Sequence, residues 1–123
     1  MGADVLIVED QVLIAIHLQD LVEEAGLRVT AIAHDAAEAL SAVARQRPSF
    51  ALMDIRLARG GDGIEVARHI YDAYGVRCLF LSANIDDDVR RKVEPLQPLG
   101  FIGKPFLAAE VIAAVRDAAR TVG

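Results

Sequence analysis

The chain has no tryptophan, a single cysteine, and aromatic rings at only 5% of its 123 positions. One cysteine, Cys78, excludes an internal disulfide, so no bridged framework holds the fold. Cys78 lies inside an apolar run and reads as a buried strand thiol. So few rings leave no stacking platform for bases, and Tyr71 and Tyr74 read as packing residues at the end of a helix. Basic clusters are also scarce. The longest is Arg90-Arg91-Lys92, within a net charge of −5, which argues against direct nucleic-acid binding. No apolar run approaches the ~18 residues of a membrane span. The N-terminus lacks a basic region followed by a long apolar stretch, so a cytoplasmic protein with no membrane insertion is predicted. His17, His34 and His69 are scattered without ligand spacing and read as surface or structural residues.

What the chain does have is alternation. An apolar fraction of 54% beside 25% charged residues fits one packed domain filling residues 1–123. Short apolar runs at Val5–Val8, Val29–Ala33, Phe50–Met53, Cys78–Leu81 and Phe101–Gly103 suit strands buried on both faces of a parallel sheet. Helical patterns lie between them. The first runs from Gln11 to Ala25, with Gly26 as its stop. The second starts at the capping-box pair Asp35 and Glu38 and reaches about Arg47, before Pro48. The third runs from Asp62 to Tyr74, stopped by Gly75, the fourth from Asp86 to about Glu94, and the last from Leu107 to Thr121. Five strands alternating with five helices predict a doubly wound α/β fold in three layers.

In such a sheet all carboxyl strand ends meet at one edge, where ligands bind. Here those ends carry Glu9-Asp10, Asp54, Ser82 and Lys104-Pro105. Carboxylates suit a hard cation such as Mg²⁺, and Glu9, Asp10 and Asp54 supply part of its shell. The backbone carbonyl of Arg56 is a reasonable further ligand. Lys104 can neutralise a further negative group, to which Ser82 and the Ala83 N–H can donate hydrogen bonds. Carboxylates also serve as phosphoryl-accepting nucleophiles, and such transfers need mostly positioning and neutralisation. Alone, Glu9-Asp10 would read as acids at a helix start and Lys104 as a solvated charge. Their joint pattern outweighs both readings.

These residues resemble the receiver domain of two-component response regulators of the single-domain, chemotaxis type, over the whole chain. The family pattern is an acidic pair after strand one, a phosphoacceptor Asp after strand three, Ser or Thr after strand four and Lys-Pro after strand five. Asp62-Gly63 also matches a family dipeptide. The resemblance implies a flavodoxin-like sheet of order 2-1-3-4-5 and phosphoryl transfer onto Asp54. It implies Mg²⁺ contacts from Asp10, Asp54 and the Arg56 carbonyl, with Glu9 acting through water. It further implies that Lys104 pairs with the phosphoryl group and that Lys104-Pro105 is a cis peptide, which proline tolerates. Ser82 would swing toward the phosphate while Phe101 turns inward. Departures are Ala58 in place of a frequent proline, one extra residue before Asp62-Gly63, and Phe101 in place of tyrosine or histidine. The Gly-rich loop Ala58-Arg59-Gly60-Gly61 is expected to be mobile. Pro95 and Pro98 predict a short fourth helix and an irregular loop over 95–99.

The expected function is a stand-alone receiver that takes a phosphoryl group from a sensor histidine kinase or phosphotransfer protein and signals to a downstream protein. Alternatives are an interaction module working without phosphorylation, or the receiver fragment of a longer regulator. An aspartyl phosphohydrolase fits poorly, because Arg56 stands where its general acid belongs. Val12, Leu13 and Ile16 are predicted on the outer side of the first helix. With Ile112 on the last helix, they suggest a symmetric homodimer through the first and last helices.

Overall fold

Each apolar run is followed by a helix that carries the chain back to the same sheet edge, so neighbouring strands run parallel. The structure is a computed structural model and describes residues 3–57 and 61–123. In chain order the elements are β1 (Asp4–Val8), α1 (Val12–Glu24), β2 (Arg28–Ala33), α2 (Ala36–Arg45), β3 (Phe50–Asp54) and α3 (Gly63–Tyr74). They continue with β4 (Cys78–Ser82), α4 (Asp87–Val93), a 3-10 turn (Glu94–Leu96), β5 (Gly100–Gly103) and α5 (Ala108–Val122). All strand pairs are parallel and the order is β2-β1-β3-β4-β5, the flavodoxin-like arrangement. The sheet divides two cores. Leu6, Val8, Met53 and Phe80 face α2 and α3, whereas Val5, Ile7, Leu52 and Leu81 face α1 and α5. Alternate residues of one strand thus feed opposite layers, which is why the strands read as unbroken apolar runs.

The helix ends follow local chemistry. Asp35, Asp62 and Asp86 each cap the next helix, accepting from the N–H of Glu38, Ile64 and Val89 at 2.8, 2.8 and 2.9 Å. The Glu38 carboxylate reaches back to the His34 N–H at 2.8 Å, one residue before the reciprocal partner of a capping box. Gly75 ends α3 with φ +70, a conformation that costs a side-chain-bearing residue ~1–2 kcal/mol. α2 stops at Arg45 rather than near Arg47, because the residue before Pro48 is pushed out of the helical region.

The region after α4 differs from its expectation. Glu94–Leu96 continue the helix as a 3-10 turn with Pro95 in its first turn, where a missing N–H goes unnoticed. The irregular stretch therefore narrows to 97–99. Gln97 adopts φ +52, and its ends are held: Nε2 donates to the Tyr71 hydroxyl at 2.7 Å, and its carbonyl accepts from Arg77 Nε at 2.8 Å. The substituted loop position Ala58, with Arg59 and Gly60, lies outside the described residues. Val12, Leu13 and Ile16 stand 56%, 82% and 47% exposed on α1. Ile112 is half-buried against the α1–α5 core. Among the described residues no helix is long and apolar enough to cross a membrane.

Candidate functional site

β3 and β4 each run one residue further than their apolar stretches, so Asp54 and Ser82 are the last residues of their strands. That places both at the carboxyl edge beside Glu9 and Asp10, which follow β1, and Lys104, which follows β5. Glu9, Asp54 and Ser82 are buried, while Asp10 and Lys104 are half-buried. One carboxylate oxygen from each of Glu9, Asp10 and Asp54 lies within 4.8 Å of the others. Lys104 Nζ bridges two of them, donating to Glu9 Oε1 at 2.7 Å and to Asp54 Oδ2 at 3.1 Å. The remaining oxygens are partly occupied. Glu9 Oε2 accepts the Gln11 N–H at 3.0 Å, and Asp54 Oδ1 accepts the Arg56 N–H at 3.2 Å.

Three carboxylates against one ammonium leave the cluster short of positive charge. Burial pushes the Glu9 carboxyl up to about 7, opposed by the Lys104 and Gln11 bonds and assisted by the neighbouring Asp54 and Asp10. Burial by itself would lower the Lys104 ammonium, but its bonds to Glu9 and Asp54 more than offset this and hold it above its ordinary value. Glu9 is thus the strained member of the cluster. An all-oxygen donor set with surplus negative charge fits a hard divalent cation.

Two further features pin the site. The Lys104–Pro105 peptide bond is cis, and the Lys104 N–H donates to the Ser82 carbonyl at 3.0 Å. Gly63 packs directly under Asp54. A Cβ built there would lie 2.0 Å from the Asp54 carbonyl oxygen, so only glycine fits. This contact follows from a short antiparallel bridge between Arg56 and Asp62, in which the Gly63 N–H donates to the Ile55 carbonyl at 2.7 Å. The Asp62-Gly63 dipeptide is therefore a backbone clamp on Asp54.

The Ser82 hydroxyl is engaged by the Asn84 backbone. Its Oγ accepts the Asn84 N–H at 3.1 Å and donates to the Asn84 carbonyl at 3.2 Å, with exposed Ala83 between them. Phe101 is half-buried and stacks on Phe80, with centroids 6.0 Å apart at 22°. Sequence reasoning missed Asn84, although hydroxyl-to-backbone pairing two residues on is a common local pattern. It also missed His34, whose Nδ1 lies 3.1 Å from the Glu9 carbonyl. Those two residues stand 25 apart, and no local signal joins them.

The same fold occurs in known proteins. The family model for the response regulator receiver domain matches residues 5–116, and the chain belongs to that family. It is thus a signalling module of two-component systems. It is 33% identical over 119 residues to the phyllosphere-induced regulator PhyR of Methylorubrum extorquens, covering 96% of this chain and 44% of PhyR. It is 30% identical over 118 residues to sporulation initiation phosphotransferase F of Bacillus subtilis, covering 94% of this chain and 93% of that protein. The receiver domain of a modulated diguanylate cyclase from Desulfovibrio desulfuricans superposes with a TM-score of 0.85 at 27% identity, over 99% of this chain and 97% of that one. The chain spans less than half the length of PhyR and 54% of the transcriptional regulator PdtaR of Mycobacterium tuberculosis.

Proposed function

We propose that this receiver accepts a phosphoryl group on Asp54 from a sensor histidine kinase or phosphotransfer protein and passes the signal to a downstream protein. The observation that carries this reading is the single ammonium of Lys104 shared by Glu9 and Asp54 beside a third carboxylate. The nucleophile is an Asp54 carboxylate oxygen. As its bond to phosphorus forms, the bond from phosphorus to the donor imidazole breaks and its electron pair stays on nitrogen. Lys104 exchanges its Asp54 contact for an oxygen of the transferred group, and Ser82 leaves Asn84 to donate a second hydrogen bond, joined by the Ala83 N–H. Asp10, Asp54 and the Arg56 carbonyl, with Glu9 through water, would hold Mg²⁺. Bound there, the ion neutralises charge on the phosphoryl oxygens.

The switch then needs Phe101 to move inward as Ser82 moves. Driving such an equilibrium from mostly off to mostly on takes about 5.5 kcal/mol of differential interaction. A charged lysine pair and one or two charge-assisted bonds are of that order. The receiver is proposed to fill residues 1–123, to act in the cytoplasm, and to act alone. The part of PhyR that it matches supports the alternative, a receiver within a longer regulator.

The test is mass spectrometry after treatment with a small acyl phosphate and Mg²⁺. Wild type should gain about 80 Da, the mass of one phosphoryl group, and Asp54→Asn should gain nothing. Absence of the adduct on wild type, under conditions that label a control receiver, favours an interaction module that works without phosphorylation.

A further inference from the structure

The aromatic ring of Phe101 has two neighbours of different kinds. It stacks on fully buried Phe80, and the guanidinium of exposed Arg90 lies over the ring, its Cζ 4.6 Å from the centroid. Arg90 is committed to this contact. Its two cationic neighbours, Arg91 and Lys92, both pair with Asp88 at 3.6 and 3.1 Å, and among the described residues Arg90 has no carboxylate partner. The helix that carries Arg90 is otherwise lightly held. α4 has seven residues, of which only Val93 is buried, with Val89 packed part-way against the core.

We infer that Arg90 is a positioning residue that latches α4 to the Phe101 ring, so that helix and ring change state together. A guanidinium within ~6 Å of an aromatic centroid attracts the ring face. Phe101 has no hydroxyl with which to anchor itself to α4 by a hydrogen bond, so this contact supplies the tie. The N-terminal end of α4 is tied to Ser82. Asn84, which holds the Ser82 hydroxyl, donates from Nδ2 to Asp86 Oδ2 at 3.4 Å, and Asp86 caps the helix through the Val89 N–H at 2.9 Å. One turn later comes Arg90. A displacement of Ser82 therefore reaches Phe101 along a contiguous run of polar contacts through the helix, not only through the core. The latch itself belongs to the unphosphorylated protein. Its use as a signal path rests on the function proposed above.

A double-mutant cycle on amide hydrogen exchange separates the two. In the unphosphorylated protein, Arg90→Ala should speed exchange across residues 87–93 by about two- to fivefold, the range for one surface cation–π contact. In a Phe101→Leu background the same substitution should change nothing further. Arg90→Lys, which keeps the charge but loses the flat guanidinium, should fall between wild type and alanine. An unchanged exchange rate in Arg90→Ala overturns the latch. So does an equal effect with and without the ring, since Arg90 would then act through the helix alone. After acyl phosphate and Mg²⁺ treatment, α4 exchange and the Phe101 ring signals should shift together in wild type and separately in Arg90→Ala. Joint movement in Arg90→Ala overturns the signal path. Failure of any adduct to form overturns the phosphoryl reading and the signal path with it, while the cycle on the unphosphorylated protein still decides the latch.

Discussion

At Glu9 a carboxyl group has been taken wholly out of water and set between Lys104 Nζ and the Gln11 N–H. Its proton affinity in the folded chain, raised from 4.5 to about 7, exceeds that in the unfolded chain. A raised carboxyl contributes stability that is fully present below 4.5 and is lost as pH rises through about 7. In magnesium-free buffer, the stability of wild type relative to Glu9→Gln should therefore fall across that window, as measured by urea denaturation. Added Mg²⁺ should stabilise wild type most at the upper end, where Glu9 is ionised and binds best. A difference between the two proteins that stays flat across that window contradicts the assignment. The identities of Glu9, Asp10, Asp54 and Lys104 are legible in the sequence because each follows an apolar strand. The direct ion pair of Lys104 with Glu9 is not, since 95 residues separate them.

Elements are legible where a chemical punctuation mark sets their ends and less so where packing does. Asp35, Asp62, Asp86 and Gly75 fix helix ends by side-chain caps and a left-handed turn, all visible in the chain. The continuation through Pro95 escapes a sequence reading because a proline forbids one hydrogen bond, not a turn, and the buried Leu96 rewards the extra turn with core contacts. Gly63 is visible as part of a dipeptide but not as a contact. Its role appears only when the start of α3 is laid against the end of β3, with no room for a Cβ. Gly63→Ala should cost about 1–3 kcal/mol or more in denaturant unfolding, in the range of overpacked interiors. It should also slow labelling of Asp54, because relief of the clash must move the Asp54 backbone. Normal stability with normal labelling would show that the clamp yields without consequence.

For the molecule as a whole, the three-layer build is legible because alternation and right-handed crossovers leave few arrangements, whereas the strand order follows from the family resemblance. Quaternary state is not legible. Helical periodicity places Val12, Leu13 and Ile16 outward, as the structure has them, while Ile112 is only half-exposed on α5. A homodimer, if it forms, should centre on α1, and Leu13→Asp should abolish it while leaving the fold intact. Light scattering up to high micromolar concentration checks this. A monomer mass independent of concentration in wild type rejects the dimer.

The shared lysine has a consequence for the ionic environment. Lys104 sits half-buried against two buried carboxylates before any phosphoryl group arrives. Most of its hydration is shed when the chain folds, so transfer onto Asp54 largely swaps one shielded partner for another. Mobile ions screen exposed charges over ~8 Å at physiological salt and reach such a pair poorly. Raising the salt concentration should therefore weaken the encounter with the donor protein. The chemical step within the bound complex, followed by single-turnover quench flow, should keep its rate.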